Sequence, residues 1–332
     1  MHLFNLKIRK LEESIKFIDS KKKYIFISVS GYETRSTFLF QKFIKSNKNI
    51  NRKDNVKFCI LGFNSRKFEG NRLNNNKIYK NLSLNIVDFS SSDMQSVKEH
   101  VLREIEGIRE KNISSALDIH LDYSSMPRLW YCGLFQVLNE NLLPNDTLYM
   151  WYSEGEYSEL EFPTASMDGD INIFSGVPTL APLYRTHLLG LGFDRTRASA
   201  IFRVLDPQHL VCFYGGKKEY IERAISDNRD LIDVSDFCFE APIDDFPTAF
   251  SKLVDVTREL SDMGDVILVP DGPKPLVLAS FLVPDYLEKR GLVAFNIKKH
   301  SSPKLKIVDV SATGEIYGFS VSGSPFAKNC DQ

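Results

Sequence analysis

No stretch of this chain is apolar for long enough to cross a membrane. The longest uninterrupted run, LVLASFLV at residues 276–283, stops at Pro284, far short of the roughly 20 residues a spanning helix needs. Cysteine is scarce: the five present make no CxxC and sit mostly inside apolar runs such as KFCIL and LVCFY. They read as buried free thiols, not as a disulfide framework or a zinc knuckle. The six histidines are scattered and make no HExxH, so no metal site is expected. GxxxxGK[ST] is missing as well, which argues against P-loop hydrolysis of ATP. The first twenty residues carry charges at helical spacing and lack the apolar core and small-residue cleavage site of a signal peptide. A cytoplasmic protein without a membrane span is therefore expected.

What is present suits an ordinary globular protein. Of 332 residues, 43% are hydrophobic and 26% charged, enough to bury a sizeable core in two domains of about 150 residues each. The net charge of −1 hides an asymmetry: residues 1–81 hold 19 Lys and Arg against 6 Asp and Glu, a net of +13, which leaves −14 for the remainder. Direct contact between the basic N-terminal part and nucleic acid is one reading, and a solvated Asn/Lys-rich surface is the other. Aromatics that can stack on bases are sparse in that part.

Apolar, β-branched runs alternate with segments of helical spacing. KKKYIFISVSG leads into a helical pattern; VKFCILGF and LSLNIVDF are short buried strands; SSDMQSVKEHVLREIEGIRE places Val97, Val101, Leu102, Ile105 and Ile108 on one helical face behind a Ser/Asp start signal. SALDIHLDYSSMP, a helix-like RLWYCGLFQVLNEN and DTLYMWYSEGEY follow. Strands that are apolar throughout and alternate with helices predict a parallel sheet covered on both faces.

That order recurs. YRTHLLGLGFDRTRASAIFRVL answers the opening unit, HLVCFYGG the second strand, VSDFCFEAPI the third, DVILVPDGPKP the fourth with its helix, and GLVAFNI the fifth. Gly31, Glu33 and Arg35 answer Gly192, Asp194, Arg195 and Arg197, and the stretch from Asp122 to Pro127 answers that from Asp271 to Pro275. The chain is thus an α/β protein of two tandem Rossmann-like units, each a mostly parallel sheet flanked by helices. Residues 24–152 and 186–297 should superpose. The first domain is expected at residues 1–182, ending in an acidic Gly/Pro/Ser-rich linker or hairpin. The second is expected at 183–332, with residues 300–332 as a C-terminal extension.

Ligands of open parallel sheets gather at the carboxyl ends of the strands, where both repeated motifs fall. GLGFDR at residues 190–195 has Arg195 in place of the third glycine of GxGxxG and so fits dinucleotide binding poorly; no cofactor is expected. The loop arginines Arg35, Arg195 and Arg197, with Ser30, Gly31, Glu33, Gly192 and Asp194, are candidates to hold phosphate through planar donors. In DYSSMPR, Ser124 and Ser125 can donate hydroxyls, Pro127 can open a helix, Arg128 supplies charge, and Asp122 can hold the loop or accept from a ribose. Alternatively, a serine merely caps the helix and Arg128 pairs with a surface acid.

DYSSMPR, after the fourth strand, resembles the [DN]-x-[ST]-x-x-x-[KR] signature of CARF domains, the Rossmann-like sensors of cyclic oligonucleotides in CRISPR-associated immunity. DGPKP, with Asp271 and Lys274, is similar to the Gly-Thr-Lys-Pro-type loop of related sensors, but Pro273 stands where a hydroxyl is expected, so the two copies differ in what they offer a ligand. The resemblance covers the sheet order and two short motifs. It implies a sensor of a nucleotide or cyclic-oligonucleotide messenger in anti-phage defence, working with a separate effector protein, its two copies facing each other as a pseudo-dimer. Two alternatives remain: a ring-nuclease-like enzyme that cleaves such a ligand with Ser124, Arg128 and Lys274, or a non-catalytic interaction subunit.

Overall fold

Most apolar runs become strands and most periodic segments helices, but at the N-terminus, where the charges have helical spacing, residues 6–10 form a strand. A computed structural model describes residues 2–3, 6–11, 22–47, 55–65, 68, 70–110, 116–157, 171–179, 184–193, 195–297 and 308–322. In chain order the first part holds β1 (His2–Leu3), β2 (Leu6–Lys10), β3 (Lys23–Ser30), a 3-10 turn (Thr34–Thr37), α1 (Phe38–Ser46), β4 (Val56–Phe63), α2 (Arg72–Lys80), β5 (Ile86–Phe89), α3 (Met94–Arg109), β6 (Leu117–Asp122), α4 (Arg128–Glu140) and β7 (Thr147–Tyr157). The second part holds β8 (Ile171–Gly176), β9 (Arg185–Gly190), α5 (Arg195–Leu205), β10 (His209–Tyr214), α6 (Lys218–Asp227), α7 (Arg229–Val234), β11 (Phe237–Glu240), α8 (Phe246–Ser261), β12 (Asp265–Val269), α9 (Lys274–Leu287) and β13 (Leu292–Ile297); β14 (Val310–Ser322) closes the described chain.

Each unit contains five parallel strands in the spatial order third, second, first, fourth, fifth. In the first unit this is β5-β4-β3-β6-β7, and in the second β11-β10-β9-β12-β13. Identical order in both halves bears out the tandem Rossmann-like reading. The local causes are plain. Every residue of β3 is buried, as a strand covered by helices on both faces requires. Helix α3 starts where Asp93 accepts from the Ser96 amide at 3.0 Å and buries Val97, Val101, Ile105 and Ile108; Leu102 lies at the margin of that face. Helix α8 repeats the device, Asp245 accepting from the Thr248 amide at 3.2 Å. One aromatic core, with Phe26, Phe40, Phe43 and Tyr79, fills the space between β3 and helices α1 and α2.

Two expectations are corrected. Part of the segment expected as a linker or hairpin of the first unit is strand β8, which pairs antiparallel with β13 at the edge of the second sheet, and the division between units falls at Leu160/Glu161 instead of residue 182. Residues 158–170 and 180–183 lie outside the described ones. The C-terminal segment belongs to the first unit: β14 pairs antiparallel with β7 on one side and β2 on the other. Both additions cover the fifth parallel strand, whose unpaired N–H and C=O groups would otherwise form an open edge. Nothing local in the sequence specifies such distant partners.

Candidate ligand site at the strand ends

In the first unit, the loop after β3 is closed on itself. Ser36 Oγ accepts from the Gly31 amide at 2.7 Å and donates to the Val29 carbonyl at 2.6 Å. Asn75 on α2 donates to the carbonyls of Gly31 and Glu33 at 3.0 and 2.9 Å. Ser30 Oγ donates to Asn76 Oδ1 at 2.7 Å, and that oxygen also accepts from Arg72 Nε at 2.8 Å. Arg72, only 2% exposed, pairs with Asp88 at the end of β5 at 2.6 Å.

Arg35 does not reach outward. Its side chain is 3% exposed, with Nε on Glu33 Oε2 at 2.8 Å and Nη1 on the Ser153 carbonyl at 3.1 Å and the Tyr152 hydroxyl at 3.3 Å. Burial alone would lower its pKa, but Glu33 and then Tyr152 and Tyr157 raise it, so the guanidinium stays charged. The expectation of an open phosphate fork is thus corrected: Arg35 is the counter-ion that holds Glu33 in the loop. A surface arginine and a buried one read alike in sequence, and strand β7, which supplies Ser153, lies more than a hundred residues away.

DYSSMPR is wired inward in the same manner. Asp122 Oδ1 accepts from the Ser124 amide at 3.0 Å and its hydroxyl at 2.5 Å, while Ser124 Oγ accepts from the Ser153 amide at 2.8 Å. Ser125 Oγ donates to Glu33 Oε2 at 2.9 Å. Neither serine caps α4, which begins at Arg128 behind Pro127 with no side-chain cap. The serines therefore fasten the loop after the fourth strand to the loop after the first and to the fifth strand itself. Asp122 and Ser124 are both buried.

The second unit reaches the same closeness through backbone. A Cβ on Gly192 would stand 3.1 Å from Gly272 Cα, and Gly272, at φ +84°, has room for one only 2.6 Å from the Leu191 carbonyl oxygen. Asn228 donates to the Gly192 carbonyl at 2.8 Å, and Asp271 accepts from the Gly272 amide at 2.8 Å. Arg197 faces Asp271 at 3.3 Å, both nearly buried. Arg195 turns the other way and pairs with Asp230 on the surface. Asp194 lies outside the described residues. The two expected phosphate-binding arginines of this loop thus engage carboxylates of their own unit.

Sequence reading missed the buried polar face of α2. Arg72, Asn75 and Tyr79 recur at helical spacing within NRLNNNKIYK and all are buried; that spacing was the available signal, hidden by a composition that resembles a solvated surface.

One feature recurs at the candidate site in both units. The helix after the fourth strand opens with proline as its N-cap, Pro127 at φ −61°, ψ 149° and Pro273 at φ −62°, ψ 139°. The next residue is basic and half-buried, Arg128 in one unit and Lys274 in the other. The structural match is therefore Pro127 with Pro273, not Pro275. Neither helix carries an acid in its first turn. The same proline-basic helix start thus stands at equivalent positions of the two units.

Among the described residues no three or more His, Cys, Asp or Glu gather as a metal site, and no helix is long and apolar enough to cross a membrane. No family model matches the chain, and no curated protein matches it. Among solved structures, the chain is similar to an N-terminal ketoreductase from a macrolactin assembly line, at 8% identity over 86% of this chain and 72% of that chain, with a TM-score of 0.23. A likeness that faint carries no argument about chemistry, and the fold assignment rests on strand order.

Proposed function

We propose that this protein binds an anionic nucleotide, a mononucleotide or a cyclic-oligonucleotide messenger, at the strand-end loops of its two Rossmann-like units, and acts as a sensor for a separate effector. The observation that carries the reading is the repeated Pro-basic helix start after the fourth strand. Phosphate placed there meets the first amides of the helix and the positive dipole end, and a bidentate or point-charge partner in Arg128 or Lys274. The strand order supports the same location, since open sheets take ligands where the chain reverses direction from the first strand to the fourth. The CARF resemblance of DYSSMPR points to the same loop, but its serines act here as scaffold and leave Arg128 as the recognition residue. The defence setting follows from that resemblance alone.

Calorimetry with a panel of mononucleotides, dinucleotides and cyclic oligonucleotides tests the proposal, with product analysis on the same mixtures. A lost charged hydrogen bond costs roughly 1.5–3 kcal/mol, so Arg128→Ala and Lys274→Ala should each weaken binding at least about tenfold. Arg128→Lys should retain part of the affinity, since charge survives while the fork is lost. Intact ligand after incubation supports a sensor, and turnover supports a ring-nuclease-like enzyme. No binding by the parent chain to any of the panel would sink the proposal.

A further inference from the structure

Cys212 and Cys238 are direct partners in the parallel register of β10 and β11. Their side chains share a face of the sheet, on strands about 4.8 Å apart, and disulfides bridge Cα atoms about 4.4–6.8 Å apart. The register sets the two thiols opposite each other on neighbouring strands. Their surroundings differ: Cys212 is fully buried in the apolar core beside Leu189 and Leu210, whereas Cys238 is half-buried on the edge strand next to the exposed Phe237. Ser235 Oγ lies 3.1 Å from Cys238 Sγ.

We propose that Cys212 and Cys238 form a dithiol site that hydrogen peroxide closes reversibly to a disulfide across the edge of the second sheet. The Cys238 thiolate attacks one peroxide oxygen. The O–O bond breaks, the departing hydroxide takes a proton to become water, and Cys238 is left as a sulfenic acid. Cys212 then attacks that sulfur, giving up its proton. The S–O bond breaks, a second water leaves, and the S–S bond forms. Two thiols and one peroxide yield one disulfide and two waters, two electrons passing from sulfur to oxygen.

The division of labour follows from the geometry. The neighbouring Cys212 thiol, acting against partial burial, lowers the Cys238 thiol to about 6, so it is the nucleophile at neutral pH. Cys212, raised by the neighbouring Cys238 thiol and by burial, remains the resolving thiol. Burial raises Cys59 and Cys132 and leaves each inert.

The test uses the full chain in a Cys330→Ser background. Brief treatment with hydrogen peroxide, followed by non-reducing peptide mapping, should find Cys212 linked to Cys238, and dithiothreitol should restore both thiols. Before oxidation, iodoacetamide at pH 7 should label Cys238 at least about tenfold faster than Cys59, Cys132 or Cys212. In Cys212→Ser, which keeps a polar hydrogen beside Cys238 but has no resolving thiol, dimedone should trap a sulfenic acid at Cys238. Circular dichroism confirms that the variant is folded, and mapping of the chain with both cysteines decides the matter without any change at position 212 or 238. Both thiols intact after peroxide, a bridge between other cysteines, or oxidation of Cys238 without bridging would overturn the proposal.

Discussion

Ser125 donates its hydroxyl to Glu33 Oε2 at 2.9 Å, joining the loop after the fourth parallel strand of the first unit to the loop after the first. The same oxygen receives Arg35 Nε, so a single carboxylate holds two loops and one buried cation.

Removal of one member of a buried pair leaves an uncompensated charge and costs on the order of 3 kcal/mol. Arg35→Ala should therefore destabilise the protein by about that amount in urea unfolding, because the guanidinium is almost wholly buried against Glu33. Ser125→Ala loses one hydrogen bond and should cost about 1 kcal/mol. An Arg35→Ala variant as stable as the parent would show that the arginine does not organise the loop.

Glycine at position 272 is required twice over, by φ +84° and by the Leu191 carbonyl 2.6 Å from where a Cβ would stand. Gly314 has φ +105° but nothing within 4 Å of its Cβ position. Gly272→Ala should lower the melting temperature more than Gly314→Ala, the latter bearing only the backbone strain of roughly 1–3 kcal/mol. Equal shifts would contradict the close approach of the two loops.

His120 on β6 is buried, stacks on Tyr149 at 4.6 Å and accepts from Trp151 Nε1 at 3.1 Å through Nδ1. Burial first, and then the Lys22 charge, lower its pKa to about 3, against about 6.5 unfolded. Between those values the unfolded chain binds the extra proton, so stability is complete above pH 6.5 and falls as the pH drops toward 3. The loss amounts to about 1.4 kcal/mol per unit, or about 2 kcal/mol between pH 6.5 and 5. His120→Gln, which cannot titrate, should flatten that part of the stability profile by the same amount. A mutant profile parallel to the parent's would place the acid sensitivity elsewhere.

Phe319 on β14 is buried against Phe135 of α4, ring centroids 6.2 Å apart. Phe319→Ala should cost about 3–5 kcal/mol, measurable as a drop in the urea midpoint. A change under about 1 kcal/mol would mean that the C-terminal strand does not support the first unit's core.

The amino-acid sequence alone determined the α/β class, the duplication and the strand count of each parallel core, because apolar period and helix-start signals such as Asp93 act within a few residues. It also located the candidate loops, since ligand positions in a parallel sheet follow strand ends. Only tertiary structure decided which way the side chains in those loops turn. Arg35 and Arg128 look alike in sequence, yet one is buried by Ser153 and Tyr152 on a distant strand and the other opens a helix. The same holds for β14, whose place beside β7 depends on an edge left open some 150 residues earlier. Cys212 and Cys238 likewise became neighbours only through the register of two strands. Short-range order is written in local periodicity, whereas burial, charge pairing and edge protection depend on residues that meet only once the sheet has formed.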